Sequence, residues 1–185
     1  MVEMLTWALL AMLLSGDVQE PPAIGTVVPD FGVTPIDGSP FRLSEATSAH
    51  SAVVIVFFSV LCPYSNAGDK HLLDLYAEYQ PRGVLFLGID SNRTESLEEI
   101  AAHARTNHAP YSVMKDAGNR VADQLGARVT PEAFVIDREG RLRYRGRVRS
   151  KQGATDLKDA IEAVVAGRPV KTPVAKAFGC FITRE

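Results

Sequence analysis

Residues 52–65 read Ala-Val-Val-Ile-Val-Phe-Phe-Ser-Val-Leu-Cys-Pro-Tyr-Ser, and this stretch decides the fold. Ala52 to Phe58 form an unbroken β-branched and aromatic run, the pattern of a strand buried on both faces of a helix-covered sheet. After Cys62-Pro63, the residues Leu72, Leu75, Tyr76 and Tyr79 recur at helical spacing, so a helix follows. Cys62 is thereby predicted at the C-terminal end of a buried strand, where open α/β sheets keep their ligand sites. Pro63 suits a first helical position, whose N–H would be unpaired in any case. The sulfur would then face free N–H groups of the first helical turn, and those donors favour thiolate over thiol. The competing reading is an inert core cysteine. An acidic thiol that reacts must also meet its substrate, so the reactive reading expects an accessible sulfur.

The pattern continues on both sides of this stretch. Toward the N-terminus, Asp37-Gly38 lies between Thr26–Phe31 and Phe41–Leu43, which predicts a β-hairpin. Toward the C-terminus, Val84–Asp90 reads as a second buried strand. Leu97, Ile100, Ala101 and Ala104 predict a helix with Thr94 as N-cap and Glu95, Glu98 and Glu99 in its first turn. Tyr111–Met114 fits a short edge strand, and Val121, Ala122 and Leu125 a short helix closed by Gly126. Ala133–Asp137 and Leu142–Arg145 read as strands joined by Arg138-Glu139-Gly140. Leu157, Ala160, Ile161 and Val164 form a last amphipathic helix closed by Gly167. This order predicts an α/β protein with a mixed central β-sheet and helices on both faces.

Composition bounds the function. The 185 residues are 46% hydrophobic and 23% charged with net charge −2. That supports one sizeable core, and it supplies no basic field for nucleic acid, which is excluded as a main partner. Two cysteines, Cys62 and Cys180, permit neither a structural zinc site nor a disulfide-stapled scaffold. No metal and no bound cofactor is expected. Met4 to Leu14 is an apolar run too short for the roughly 20 residues that span a bilayer, and it fits the core of a secretory signal peptide. Glu3 stands where such peptides carry a positive charge. The expected organisation is a signal peptide or hydrophobic segment over 1–20, one domain over 21–167 and a tail over 168–185. Export to the periplasm or cell envelope follows if residues 1–20 are a signal, and a cytoplasmic location if they are not.

Two further spots bear on chemistry. Ser65 stands where a Cys-x-x-Cys pair would hold its second thiol. Its hydroxyl can donate a hydrogen bond to the Cys62 sulfur but cannot form a disulfide, so another sulfur must resolve any Cys62 adduct. Thr130-Pro131, just before the strand Ala133–Asp137, is a candidate cis-proline turn.

With these residues in view, the chain resembles the thioredoxin-fold redoxins, in particular the branch of alkyl hydroperoxide reductase and thiol-specific antioxidant proteins. The resemblance covers roughly Ile24 to Val165. It rests on Val28-Pro29-Asp30-Phe31 with Asp37-Gly38, on Phe57 through Ser65, on Val129-Thr130-Pro131, and on Val135-Ile136-Asp137 followed by Gly140 and Tyr144-Arg145-Gly146. It implies a thioredoxin fold with Cys62 as nucleophile, and Pro63, Tyr64, Thr130 and Pro131 as the surface against which an extended substrate lies. It also implies roles for Ser59, at the hydroxyl position of peroxiredoxins, and for Arg143, with Arg145 as second choice, as the thiolate-stabilising arginine. Ile55 replaces the peroxiredoxin proline, Leu61 the tryptophan of thioredoxins, and Ser65 their second cysteine. Peroxide and protein-disulfide substrates therefore both stay open, with a thiol reductant, protein or small, as the other partner.

Ala177-Phe178-Gly179-Cys180 is similar to a terminal segment of some peroxiredoxin-like redoxins, where the cysteine resolves. Thirteen residues from Gly167 reach about 43 Å when extended. The domain's radius of gyration is near 15 Å, so the tail can return to Cys62. Catalytic resolution, a permanent bridge and unrelated thiols all remain open for Cys180. The expected function is a thiol-dependent oxidoreductase. The rival is a non-catalytic binding protein on the same fold, holding a client peptide or copper.

Overall fold

The computed structural model describes residues 21–36, 38, 40–149, 153 and 155–184. The apolar run Met4 to Leu14 and Asp37 of the predicted turn lie outside the described residues. β1 (Gly32–Val33) pairs antiparallel with β2 (Phe41–Arg42), as the turn signal between them predicts, and α1 (Leu43–Ala49) follows at once.

β3 (Ala52–Phe58) is the centre of the molecule, and all seven of its residues are buried. α2 (Pro63–Asn66) and α3 (Asp69–Tyr79) lead to β4 (Val84–Asp90). α4 (Leu97–Thr106), β5 (Ser112–Lys115) and α5 (Arg120–Leu125) complete the first half. Then come β6 (Val129–Thr130), β7 (Glu132–Asp137), β8 (Leu142–Gly146), α6 (Asp156–Val165), β9 (Val174–Ala175) and β10 (Cys180–Phe181). The main sheet has the order β5-β4-β3-β7-β8-β9. β3 runs parallel to β4, with Phe58 opposite Asp90, and antiparallel to β7, with Ala52 opposite Asp137.

The unbroken apolar run of β3 serves two cores because successive side chains point to opposite faces. Val53, Ile55 and Phe57 pack with Leu43 and Ala46 of α1 and with Val121, Ala122 and Leu125 of α5. Ala52, Val54 and Val56 pack with Leu72, Leu75 and Tyr79 of α3 and with Leu157, Ala160, Ile161 and Val164 of α6. Burying each Val, Leu, Ile or Phe among them stabilises by about 1.5–3 kcal/mol. These two layers are what fix the end of β3 in space.

Two local expectations are corrected. The N-cap of α4 is Ser96, not Thr94: Ser96 and Glu99 form a reciprocal capping box. Glu95 consequently lies before the helix rather than in its first turn. The stretch read as a tail is also part of the fold. β9 adds parallel to β8, with Gly146 opposite Ala175, and a Cβ at Gly146 would overlap the Ala175 backbone. β10 pairs antiparallel with β6, with Cys180 opposite Thr130 and Phe181 opposite Val129.

Candidate active site

Cys62 lies four residues beyond β3, in extended conformation at the N-cap of α2, with Pro63 at the first helical position. Its thiol donates to the Thr130 carbonyl at 3.1 Å, and the Thr130–Pro131 bond is cis. Ser65 reaches the sulfur through its amide N–H. The Ser65 hydroxyl, expected on the sulfur, instead accepts the Ser59 N–H at 3.3 Å.

The other sulfur arrives from the far end of the chain. The antiparallel register of β10 on β6 sets Cys180 opposite Thr130, and its thiol and its amide both hydrogen-bond the Cys62 sulfur. Burial alone would push the Cys62 thiol up, yet hydrogen bonds from the Cys180 thiol and amide, the Ser65 amide and the Thr130 side-chain hydroxyl bring it down to about 7. Cys180 moves the opposite way, up to about 11, because it hydrogen-bonds the Cys62 sulfur, is partly desolvated, and faces the charges of Cys62 and Glu95. One sulfur is thus poised as thiolate and its neighbour as thiol.

A buried acidic floor supports this arrangement. Glu95, 3% exposed, accepts the Ser59 hydroxyl at 2.5 Å and the Val60 N–H at 2.8 Å, so it ties down the loop that presents Cys62. Asp90, at the end of β4, accepts the Asn92 N–H at 3.0 Å and the Lys115 ammonium at 2.9 Å on one oxygen. Its other oxygen has no hydrogen-bond donor and faces Glu95. Two carboxyls in contact cannot both ionise cheaply, so they share a proton. Burial and Glu95 raise Asp90. Burial would raise Glu95 as well, but the Asp90 proton, Ser59 and the Val60 and Leu61 amides hold it low. Glu95 was not singled out from the sequence as a site residue. The Ser-x-x-Glu pattern at 96–99 is the available signal, because it starts the helix at Leu97, two residues after Glu95.

The structure does not bring Arg143 to this site. Its guanidinium pairs with Asp137 at 2.9 Å, beside the turn joining β7 to β8 and at the opposite end of the sheet from Cys62. Arg145 pairs with Phe134 of β7 and Val174 of β9 in the sheet, and no guanidinium is among the groups that hold the Cys62 sulfur. The Ser59 hydroxyl is committed to Glu95. Tyr64 stands at the rim, with its ring edge-on to Phe178 at 6.1 Å. Among the described residues no three His, Cys, Asp or Glu side chains converge as a metal site. The expectation of an accessible sulfur is corrected: Cys62 is 1% exposed, roofed by the segment that carries Cys180.

The model of the AhpC/TSA family matches residues 24–145. The chain is 23% identical over 119 residues to the thiol-disulfide oxidoreductase ResA of Bacillus cereus, which spans 64% of this chain and 66% of that protein. A hypothetical protein of Sinorhizobium meliloti superposes with TM-score 0.79 at 29% identity, covering 88% of this chain and 95% of that one. The peroxidoxin BcpB of Mycobacterium tuberculosis superposes with TM-score 0.64 at 24% identity, covering 80% and 99%, and this likeness shows the shared thioredoxin-type fold.

Proposed function

Because the chain belongs to the AhpC/TSA family, we propose that it is a thiol-disulfide oxidoreductase in which Cys62 attacks and Cys180 resolves. The observation that carries this reading is the contact of the two sulfurs beside Thr130, with one thiol acidified and the other held protonated. The Cys62 thiolate attacks one sulfur of a partner disulfide. An S–S bond forms to Cys62, the partner's S–S bond breaks, and the partner leaves as a thiolate that takes a proton from water. The adduct removes the negative charge from Cys62, which is what kept Cys180 protonated, so Cys180 ionises more readily at the moment it is needed. Cys180 then attacks the Cys62 sulfur and expels the second partner thiol. The partner disulfide has gained two electrons, and the chain is left with a Cys62–Cys180 disulfide. A thiol reductant, protein or small, returns it to the dithiol.

Disulfide is favoured over peroxide as substrate because Arg143 is spent on Asp137 and Ser59 on Glu95. The chemistry needs no bound cofactor. Residues 4–14 support placing the reaction in an exported protein, and N-terminal sequencing of the native protein tests that.

The experiment is to mix the reduced protein with a small aromatic disulfide and map the bonds by mass spectrometry. The expected product is an intrachain Cys62–Cys180 disulfide, and Cys180→Ser should accumulate a long-lived adduct on Cys62. The burial of Cys62 favours one rival, a non-catalytic binding protein. That rival predicts a Cys62 that stays unmodified while a control thiol reacts.

A further inference from the structure

The groups that acidify Cys62 also hide it. A sulfur that is 1% exposed cannot meet a partner's disulfide, whatever its ionisation. Its roof is the stretch 176–181, which leaves the sheet edge after Ala175 and rejoins the body at Ile182. Both ends are fixed. Ala175 and Ile182 are buried in different cores, and the Ile182 N–H donates to the Arg128 carbonyl at 3.0 Å. Between these anchors the hold is slight. It includes the two-residue pairing of Cys180 and Phe181 with β6, the hydrogen bonds from the Cys180 thiol and amide to the Cys62 sulfur, a Thr130 hydroxyl donating to the Cys180 carbonyl at 3.5 Å, and a ring contact between Phe178 and Tyr64. Phe178 is 41% exposed and Phe181 more so, so neither sits in a core. The close fit depends on Gly179, since a Cβ there would overlap the Thr130 carbonyl oxygen.

Building on the thiol-exchange reading, we propose that residues 176–181 are a self-inhibiting flap, hinged at Ala175 and Ile182, which must lift from Thr130 before any partner disulfide can reach Cys62. Closed, the flap places Cys180 on Cys62, the geometry for resolution. Lifted, it exposes Cys62 and frees the β6 edge beside Pro131 for the partner. The two half-reactions therefore use two positions of one segment. The observed reactivity of Cys62 is its intrinsic value multiplied by the lifted fraction. Segments held by so few contacts open locally without global unfolding.

The test uses the full chain and two variants. Gly179→Val makes closure clash with Thr130, and Phe178→Ala removes the ring contact without leaving a core cavity. The readout is the limiting rate of Cys62 alkylation by iodoacetamide, followed by peptide mapping at a pH where Cys62 is fully thiolate, so altered acidity does not enter. Gly179→Val should raise that rate about tenfold or more, and Phe178→Ala by a smaller factor. Rates within about twofold of the parent for both variants would overturn the flap. Should Gly179→Val fail to fold by circular dichroism, Phe178→Ala alone decides in the same two directions. A parallel measurement with a chromogenic aromatic disulfide separates this proposal from the reading beneath it. Fast alkylation with no disulfide exchange in either variant sinks the oxidoreductase and leaves the flap. Exchange equally fast in parent and variants sinks the flap and leaves the oxidoreductase.

Discussion

Asp90 and Asp137 each end a central strand, yet they sit at opposite ends of the sheet and in opposite electrostatic circumstances. Asp137 is fully satisfied. One of its oxygens accepts the Glu139 and Arg141 amides at 3.0 and 2.9 Å, and the other accepts Arg143 at 2.9 Å. It locks the β7–β8 turn. Asp90 has one oxygen without a donor and a second carboxyl against it. The proton that Asp90 shares with Glu95 takes the place of a donor there, so this end of the sheet carries a buried ionisable pair that the turn end lacks. The contrast teaches where to look for chemistry. Asp137 locks a turn, whereas Asp90 is paired with Glu95, which holds the loop that presents Cys62.

The comparison can be broken by mutation. Glu95→Ala should have the largest effect. It frees the Ser59–Leu61 loop and leaves buried donors unpaired, at a cost of about 2–4 kcal/mol in chemical denaturation and with slower disulfide exchange. Asp137→Asn should come next, at about 2 kcal/mol. An amide cannot accept three donors, yet exchange at Cys62 should stay unchanged. Arg143→Ala should cost about 1 kcal/mol and leave the exchange rate within about twofold of the parent. A large loss of exchange here would restore the arginine role that the resemblance implied. Asp90→Asn should be the mildest, within about 1 kcal/mol, because its amide N–H can donate permanently where the shared proton sat. It should also alter pH dependence. Asp90 is raised in the folded protein, so above the ordinary carboxylate range the native state binds more protons than the unfolded chain. This contribution to stability falls as pH rises through that window, and Asp90→Asn should abolish it.

How much of this was legible in the sequence depends on the range of the interactions. β3 and β4 were readable because a doubly buried strand is a local property of its own residues, and all seven β3 positions are buried. Cys62 at the strand–helix junction followed from the same local logic. Arg143 was misplaced although the information was present. It stands three residues after Gly140, beside the hairpin turn, and β7 runs from Glu132, next to Pro131 at the site, to that turn. An arginine next to the turn therefore belongs to the far end of the sheet. Two features were not local. Glu95 meets Ser59 across 36 residues, and β10 meets β6 across 50, so neither the acidic floor nor the roof over Cys62 follows from spacing.

The division of roles between the two sulfurs is tested most directly by the pH dependence of alkylation at each cysteine, followed by mass spectrometry on the reduced protein. Cys62 labelling should rise with pH through a midpoint of about 7, while Cys180 should label only toward about 11. Two sulfurs titrating together near the ordinary thiol value of about 8.5, or Cys180 titrating below Cys62, would contradict this division.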